Sequence, residues 1–307
     1  MTLDLNQISF PLILDGGLSN VLESQGNDLN HKLWTAKLLV EKPEALIQTH
    51  YEYIKAGAQI ITTSSYQVSG QGLLDLGFPA KALEALLLKS IELVQSAILR
   101  AEEQGLIKQR PLIAASLGPY GAYLADGSEY RGNYQVSEKV IRKFHQERIE
   151  ILDNSESDFL AFETIPSFGE AKVLSEILRE AAKPSWVSFS CKSGSEINDG
   201  TQIELAIELF RDHPAVFAIG VNCTKPKYIS ELIKRIKKGN TGKRIIVYPN
   251  SGEAFNATNK TWMGTADPNL FVEMAKEWID LGADIIGGCC RIGPGHISQL
   301  RDKYLKG

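Results

Sequence analysis

Cysteine is scarce in this chain, with four residues in 307. So few thiols do not make a disulfide framework, and they read instead as metal ligands or core residues of a reducing compartment. A basic excess is missing too: 33 Lys and Arg against 37 Asp and Glu leave a formal net charge of −4. Without a basic footprint, no nucleic-acid partner is expected. No apolar run approaches a membrane span, and Met1 to Phe10 lacks the basic start and apolar core of a signal peptide. A cytoplasmic protein with no membrane partner is the expectation. Linker-like, low-complexity segments are absent as well, so nothing divides the chain. What is there is ordinary for a globular protein: 43% hydrophobic and 23% charged residues.

Short apolar runs alternate with amphipathic stretches along the whole length. Phe10 to Asp15, Gln59 to Ser64, Pro111 to Leu117, Phe159 to Thr164, Trp186 to Cys191, Val216 to Asn222, Arg244 to Tyr248 and the run from Ala283 read as eight strands. A polar segment with Trp34 follows the first strand and leads to a helix that starts near Pro43 and stops at Ala56-Gly57. Ala80 to Gln104 is the clearest helix, with Leu83, Leu86, Leu87, Ile91, Val94 and Ile98 on one face. After a long loop, Gly118 to Gln135, Ser137 can cap a helix running to about Asn154. Further helices read over Gly169–Ala182, Gln202–Arg211, Lys227–Lys238 and Pro268–Leu281, the last after a loop through Gly264, with a short one from Pro294. Several strands are near-continuous apolar runs, as parallel strands covered on both faces are. The expected fold is a single α/β domain over residues 1–307, a (β/α)₈ TIM barrel. A doubly wound sheet in two domains would need a boundary that the sequence does not offer.

In such a barrel, functional groups gather at the C-terminal ends of the strands. Those ends read Asp15, Tyr66, Gly118, Glu163, Cys191, Cys223, Asn250 and Cys289-Cys290. Neighbouring side chains on a strand point opposite ways, so two adjacent thiols meet one target only where the strand ends. Gly287-Gly288 permits that departure. Strands six and eight share parity, so Cys223 can join the pair in one layer. Three thiols suggest a tetrahedral zinc site with its fourth position open, the catalytic arrangement. The plainer reading makes Cys223 a small core hydrophobe, but three thiols at matching strand ends favour zinc. Cys191 alternates with Phe189 and Val187 and reads as a core or wall thiol. His296, after Gly293-Pro294-Gly295, reads as shaping a turn.

The segments LILDGGLSNVLE, AGAQIITTSSYQ, SLGPYGAYLADGSEYRGNY, FETIPS, GVNC, YPNSGE and GGCCRIGPGHI resemble those of the homocysteine S-methyltransferase family. The likeness runs from near residue 12 to residue 297, and the pairing of GVNC with GGCC is its most specific part. The tyrosine-bearing loop resembles the branch that uses S-methylmethionine or S-adenosylmethionine. The resemblance implies that Cys223, Cys289 and Cys290 hold zinc, that Asp15 and Gly16 hold homocysteine, and that Glu163 receives its α-ammonium. Asn222, beside Cys223 in GVNC, falls on the substrate side. Tyr66 falls where a tyrosine of the betaine-using branch occupies the fourth zinc position before substrate arrives. Tyr120, Tyr123, Asp126, Glu129 and Tyr130, with Tyr134, would wall the donor: aromatic faces attract cations, and the carboxylates could take its ammonium. The implied reaction is zinc-dependent methyl transfer from a sulfonium donor to the thiolate of homocysteine, giving methionine. Three cysteinates give such a site a formal charge near −1, and a fourth thiolate about −2, which keeps the bound sulfur electron-rich. Alternatives are selenocysteine or another small thiol as acceptor, a zinc hydrolase with Glu163 as base, and a non-catalytic zinc-binding protein. The oligomeric state stays open, a homo-oligomer included.

Overall fold

Every second side chain of a strand faces the same way, and here both faces find apolar cover. The computed structural model describes Leu5 and residues 8–29, 37–256, 261–263 and 266–304. Its parallel strands are β1 (Leu12–Ile13), β2 (Ile60–Thr62), β3 (Leu112–Leu117), β4 (Phe159–Ile165), β5 (Ser185–Phe189), β6 (Val216–Asn222) and β7 (Arg244–Tyr248). An antiparallel pair follows, β8 (Ala254–Asn256) with β9 (Thr261–Met263), and β10 (Ile285–Ile286) is the last parallel strand. Hydrogen bonding runs in the order β1-β10-β7-β6-β5-β4-β3-β2, and a bridge between Leu14 and Ile60 joins the two ends. The eight parallel strands thus form the barrel that the alternation of runs implies.

Alternation divides the core in two. Leu12, Leu14, Ile60, Ala114, Phe159, Ala161, Trp186, Ala218, Ile246 and Ile285 form one buried cluster, inside the ring. Their strand neighbours Ile13, Ile61, Ile113, Leu160, Phe162, Val187, Ile219, Val247 and Ile286 belong to the other, packed outward against the helices. Each fully buried side chain of this kind contributes about 1.5–3 kcal/mol. Two residues further along the same inward faces, the chemistry changes. Phe159 and Ala161 lead to Glu163, Trp186 to Ser188, Ala114 to Ser116, Ile60 to Thr62, and Ala218 through Gly220 to Asn222. An apolar plug therefore fills the barrel, and a polar layer caps it at the C-terminal ends of the strands.

The outer helices include Pro43–Ala56, Ala82–Glu103, Glu138–Leu152, Phe168–Ile177, Ile203–Glu208, Ile229–Gly239, Pro268–Leu281 and Pro294–Tyr304. Pro43–Ala56 stops at Gly57 (φ 101°), in the left-handed region that glycine enters without strain. Three expectations change. The stretch Gly118 to Gln135 is not a plain loop but holds a helix, Tyr120–Leu124, and a 3₁₀ turn, Ser128–Tyr130. Elements of five and three residues leave no periodicity to read. The segment after β7, expected as a loop, contains β8 and β9, three residues each. Ser137 does precede its helix, but its side chain makes no capping bond, whereas Ser69, Ser167 and Asp267 cap theirs. Trp34 and Gly264 lie outside the described residues.

Gly220 pairs with Ile246 across β6 and β7, and a Cβ there would stand 1.7 Å from the Ile246 carbonyl oxygen. Gly220→Ala should lower the unfolding free energy in urea by about 3 kcal/mol. Adding Ile246→Val should not restore it, because the obstacle is main chain.

Candidate active site

β6 ends at Asn222 and the chain turns at once, since Cys223 takes a left-handed backbone (φ 49°). Its amide donates to the Tyr248 carbonyl at the end of β7 (3.2 Å). After β10, Gly287-Gly288 carries the chain to Cys289, whose amide donates to Pro249 O (2.8 Å). Gly288 has no space for a side chain, since a Cβ would stand 2.1 Å from Ile292. Its amide donates to Asp15 O (2.9 Å), and the Ile292 amide returns to Cys289 O (3.1 Å). Arg291 (φ 70°) closes the turn and pairs with Glu253, Nε to Oε2 at 3.0 Å. The outcome is convergence: Cys223 Sγ lies 2.8 Å from Cys289 Sγ and 3.7 Å from Cys290 Sγ.

All three sulfurs lie within 4.8 Å of one another. Sulfurs sharing one tetrahedral zinc at about 2.3 Å would stand about 3.8 Å apart, so small side-chain shifts suit them to an ion. Their protons agree. Hydrogen bonds from Cys223 and Cys289 hold the Cys290 sulfur well below the usual thiol range, while bonds to Cys223 and Cys290 keep the proton on Cys289. One thiolate forms readily; three together need a cation. Cys191 stays apart, its amide donating to Thr224 Oγ1 (2.9 Å) and burial pushing its thiol up.

The thiols open onto a cavity of about 340 Å³ that Asp15, Gly16, Tyr66, Glu163 and Asn222 also line. Asp15 accepts from Thr62, from its amide at 2.8 Å and its hydroxyl at 3.0 Å. Burial still lifts the Asp15 carboxyl well above the usual carboxylate range, with the charge of Glu163 adding to the rise. Glu163 accepts from the hydroxyls of Ser116 and Tyr248, yet burial raises it to about 7. Two carboxyls in one poorly hydrated space resist ionising together, and a bound ammonium would relieve both. Beneath them Trp186 Nε1 donates to Tyr248 OH (3.1 Å), and Ser188 Oγ sits 2.5 Å from that hydroxyl. Ser188 Oγ also donates to Asn222 Oδ1 (2.9 Å). Asn222 in turn accepts from Thr164 N (2.7 Å) and donates to Thr164 Oγ1 (2.8 Å), which holds Thr164 at φ 61°. Asn222 therefore borders the cavity with its amide committed to shaping the end of β4.

The long segment after β3 is pinned at both ends. Fully buried Glu170 accepts from Tyr120 N (2.7 Å) and Tyr134 OH (2.8 Å) and lies 2.8 Å from His145 Nε2. Arg148 Nη2 meets His145 Nδ1 at 2.9 Å and donates to Gly118 O at 3.0 Å. A guanidinium only donates, so His145 accepts at Nδ1 and turns its Nε2 proton toward Glu170. Tyr120 packs against Tyr123, Tyr134 and Phe144 with ring centres 5.2 to 5.4 Å away. Tyr123 donates to Asp75 (2.8 Å), and Asp126 accepts from Ser128 N and pairs with Arg131 at the surface. Of the five donor-side candidates, the described residues lining the cavity include Glu129 and Tyr130. The short helix turns Tyr120 and Tyr123 toward Phe144 instead. Tyr130 OH lies 3.5 Å from Cys223 Sγ, and the Oε2 of Glu129 is buried with no hydrogen-bond partner.

A model of the homocysteine S-methyltransferase family matches residues 12–304. The chain belongs to this family. It is 43% identical over 297 residues to homocysteine S-methyltransferase YbgG of Bacillus subtilis (strain 168), with 95% of this chain and 94% of that one covered. Homocysteine S-methyltransferase 2 of Arabidopsis thaliana is 39% identical over 318 residues, covering 98% and 95%. A selenocysteine methyltransferase of Astragalus bisulcatus is 39% identical over 316 residues, covering 96% and 93%. Among solved structures, the metallated form of the homocysteine methyltransferase MmuM from Escherichia coli aligns with a TM-score of 0.87 at 35% identity over 98% of each chain.

Several residues that line this cavity give no signal when strand ends alone are read. Thr62, Thr63, Ser64 and Gln67 line the cavity around the end of β2, where only Tyr66 had been singled out. Tyr248 was passed over for Asn250, two residues on. A hydroxyl or amide at a strand end gives little signal alone, although position after an apolar run was the clue that served for the carboxylates. His296 does shape its turn: Nδ1 accepts from Gly293 N (3.1 Å).

Glu163 binds a proton more tightly in the fold than in the unfolded chain. Its charge therefore costs no stability below the ordinary Glu range, and the loss grows as pH climbs from there to about 7. In the ligand-free methyltransferase, the Tm gained by Glu163→Gln should be greater at pH 8 than at pH 5 by roughly 4 °C. Calorimetry at both pH values checks this, and equal gains would place the raised carboxyl elsewhere.

Proposed function

We propose that this methyltransferase moves a methyl group from S-methylmethionine, or secondarily S-adenosylmethionine, to homocysteine, with zinc held by Cys223, Cys289 and Cys290. The observation that carries the reading is the cavity's one-sided chemistry. Three thiols and the carboxyls of Asp15, Glu163 and Glu129 border it, and among the described lining residues there is no Lys, Arg or His. Such a wall suits cationic guests. When bound, zinc would supply the positive charge that stabilises the acceptor as its thiolate and releases its proton to solvent; the ordinary pKa of about 8.5 leaves the free thiol mostly protonated at neutral pH.

The remaining work falls to the chain. Glu163, oriented by Ser116 and Tyr248, receives the α-ammonium of homocysteine, with Asp15 and side-chain-free Gly16 beside it. Tyr66 walls the thiol side, where burial, and after it Cys223, holds the proton on its hydroxyl. Tyr130 and Glu129 face the donor, the ring by its affinity for cations and the carboxylate by charge. The homocysteine sulfur attacks the methyl carbon, the bond from that carbon to the sulfonium breaks, and its electron pair stays on the departing neutral thioether. Opposite charges vanish together, so the step needs no acid and gains from excluding water. With S-methylmethionine both products are methionine, and the thiol proton goes to solvent. Selenocysteine is the second acceptor to consider, because a relative 39% identical carries that name.

Metal analysis should find about one zinc per chain. Cys223→Ser, Cys289→Ser and Cys290→Ser should each lose most of it, and Cys191→Ser should keep it; full zinc in the Cys223→Ser protein would remove the assignment. Methionine formation with S-methylmethionine, S-adenosylmethionine and betaine side by side should rank betaine last, since its carboxylate lies next to its cation and Glu129 repels it. Glu129→Gln should raise the KM for S-methylmethionine about 10-fold and leave that for homocysteine unchanged. Efficient turnover of betaine would take Glu129 and Tyr130 out of the donor site.

A further inference from the structure

Ser64, Gln67 and Glu129 line the cavity, and each has one buried oxygen without any hydrogen-bond partner: Ser64 Oγ, Gln67 Oε1 and Glu129 Oε2. Buried polar atoms almost always find partners, so three orphans on one wall call for a missing guest. Gln67 is held by its other end, Nε2 donating to Ala122 O (2.8 Å), so its carbonyl oxygen is the unused half of the amide. The three come from two segments that touch. Ser64 and Gln67 follow β2, Glu129 sits on the 3₁₀ turn after β3, and Gly118 N donates to Tyr66 O (3.0 Å) between them. Each oxygen can accept, and an ammonium has three protons to offer.

We propose that Ser64, Gln67 and Glu129 form a subsite for the α-ammonium of the methyl donor, which makes this enzyme selective for sulfonium donors that are amino acids. The inference rests on the donor reading above and names the atoms that recognise the donor. Glu163, held by Ser116 and Tyr248, serves the acceptor's ammonium at a separate position. The hydroxyl proton of Ser64 remains available for the donor's own carboxylate. A sulfonium without an amino group leaves all three oxygens unpaired and is rejected on that account.

The test uses the zinc-loaded full chain and two donors, S-methylmethionine and 4-dimethylsulfoniobutanoate, which is the same sulfonium without its amino group. Where the second is too slow to follow by turnover, it is measured as a competitive inhibitor against the first. The unmodified enzyme should favour S-methylmethionine about 100-fold. Gln67→Met keeps the side-chain length and removes the acceptor, and should cut that preference about 10-fold by weakening S-methylmethionine alone, with zinc content and the KM for homocysteine unchanged. Gln67→Glu loses the same bond to Ala122 but keeps an acceptor, so it should retain the preference. Equal loss in both Gln67 variants, equal effects on both donors, or an effect on homocysteine alone would overturn the subsite. Use of S-methylmethionine without preference over its deaminated analogue would overturn the subsite and spare the donor reading. No use of S-methylmethionine at all would sink both.

Discussion

Closing eight parallel strands into a ring sends alternate side chains into one shared interior, and every feature of the site follows from which residues those are. Along β4 the inward series is Phe159, Ala161, Glu163; along β6 it is Ala218, Gly220, Asn222. The lower members are buried against one another, and the stability of that plug supports an upper layer of hydroxyls, amides and carboxyls that would not pack unaided. The hydrogen-bonded series from Trp186 through Tyr248 and Ser188 to Asn222 is the floor between the two regimes. It converts burial, which disfavours charge, into orientation of Glu163 and Thr164.

Electrostatically the pocket is unfinished without its guests. Burial raises Asp15 and Glu163, and the thiols compete for protons among themselves. With no basic side chain among the described lining residues, relief must come from outside the chain. The proposed reaction brings three kinds of relief: a metal at the sulfurs, an ammonium on each amino acid, and a sulfonium between them. The site thus sacrifices some stability when empty in order to be complementary when full, a common trade at functional sites.

The eight strands were legible because each is an apolar run between turn signals, and the three thiols because a cysteine after such a run is rare enough to stand out. Asp15 and Glu163 were found the same way and both line the cavity. The segment after β3 was harder. Its four tyrosines look alike in sequence, yet Tyr120 packs against Tyr123, Tyr134 and Phe144 while Tyr130 reaches Cys223. What separates them is a helix of five residues and the buried Glu170, 36 to 50 positions downstream of the tyrosines it holds, and no local pattern reports such a contact. Ser64 and Gln67 were missed for a related reason: what marks them is an unmet bond, which exists only once the chain has folded.

The turn bearing Cys289 and Cys290 leans on the first strand, since Gly288 N donates to Asp15 O and Tyr53 OH reaches both Gly17 O and Ile292 O. Residues 239 to 275 positions apart in sequence must meet before Cys289 and Cys290 join Cys223. A chain emerging from synthesis therefore carries none of the three thiols over its first 222 residues and only Cys223 until Cys289, and the full set meets when the last strand seals against the first. An ion that binds three sulfurs more tightly than one would then act as a clasp on this seam, adding its affinity to the contact between β1 and β10.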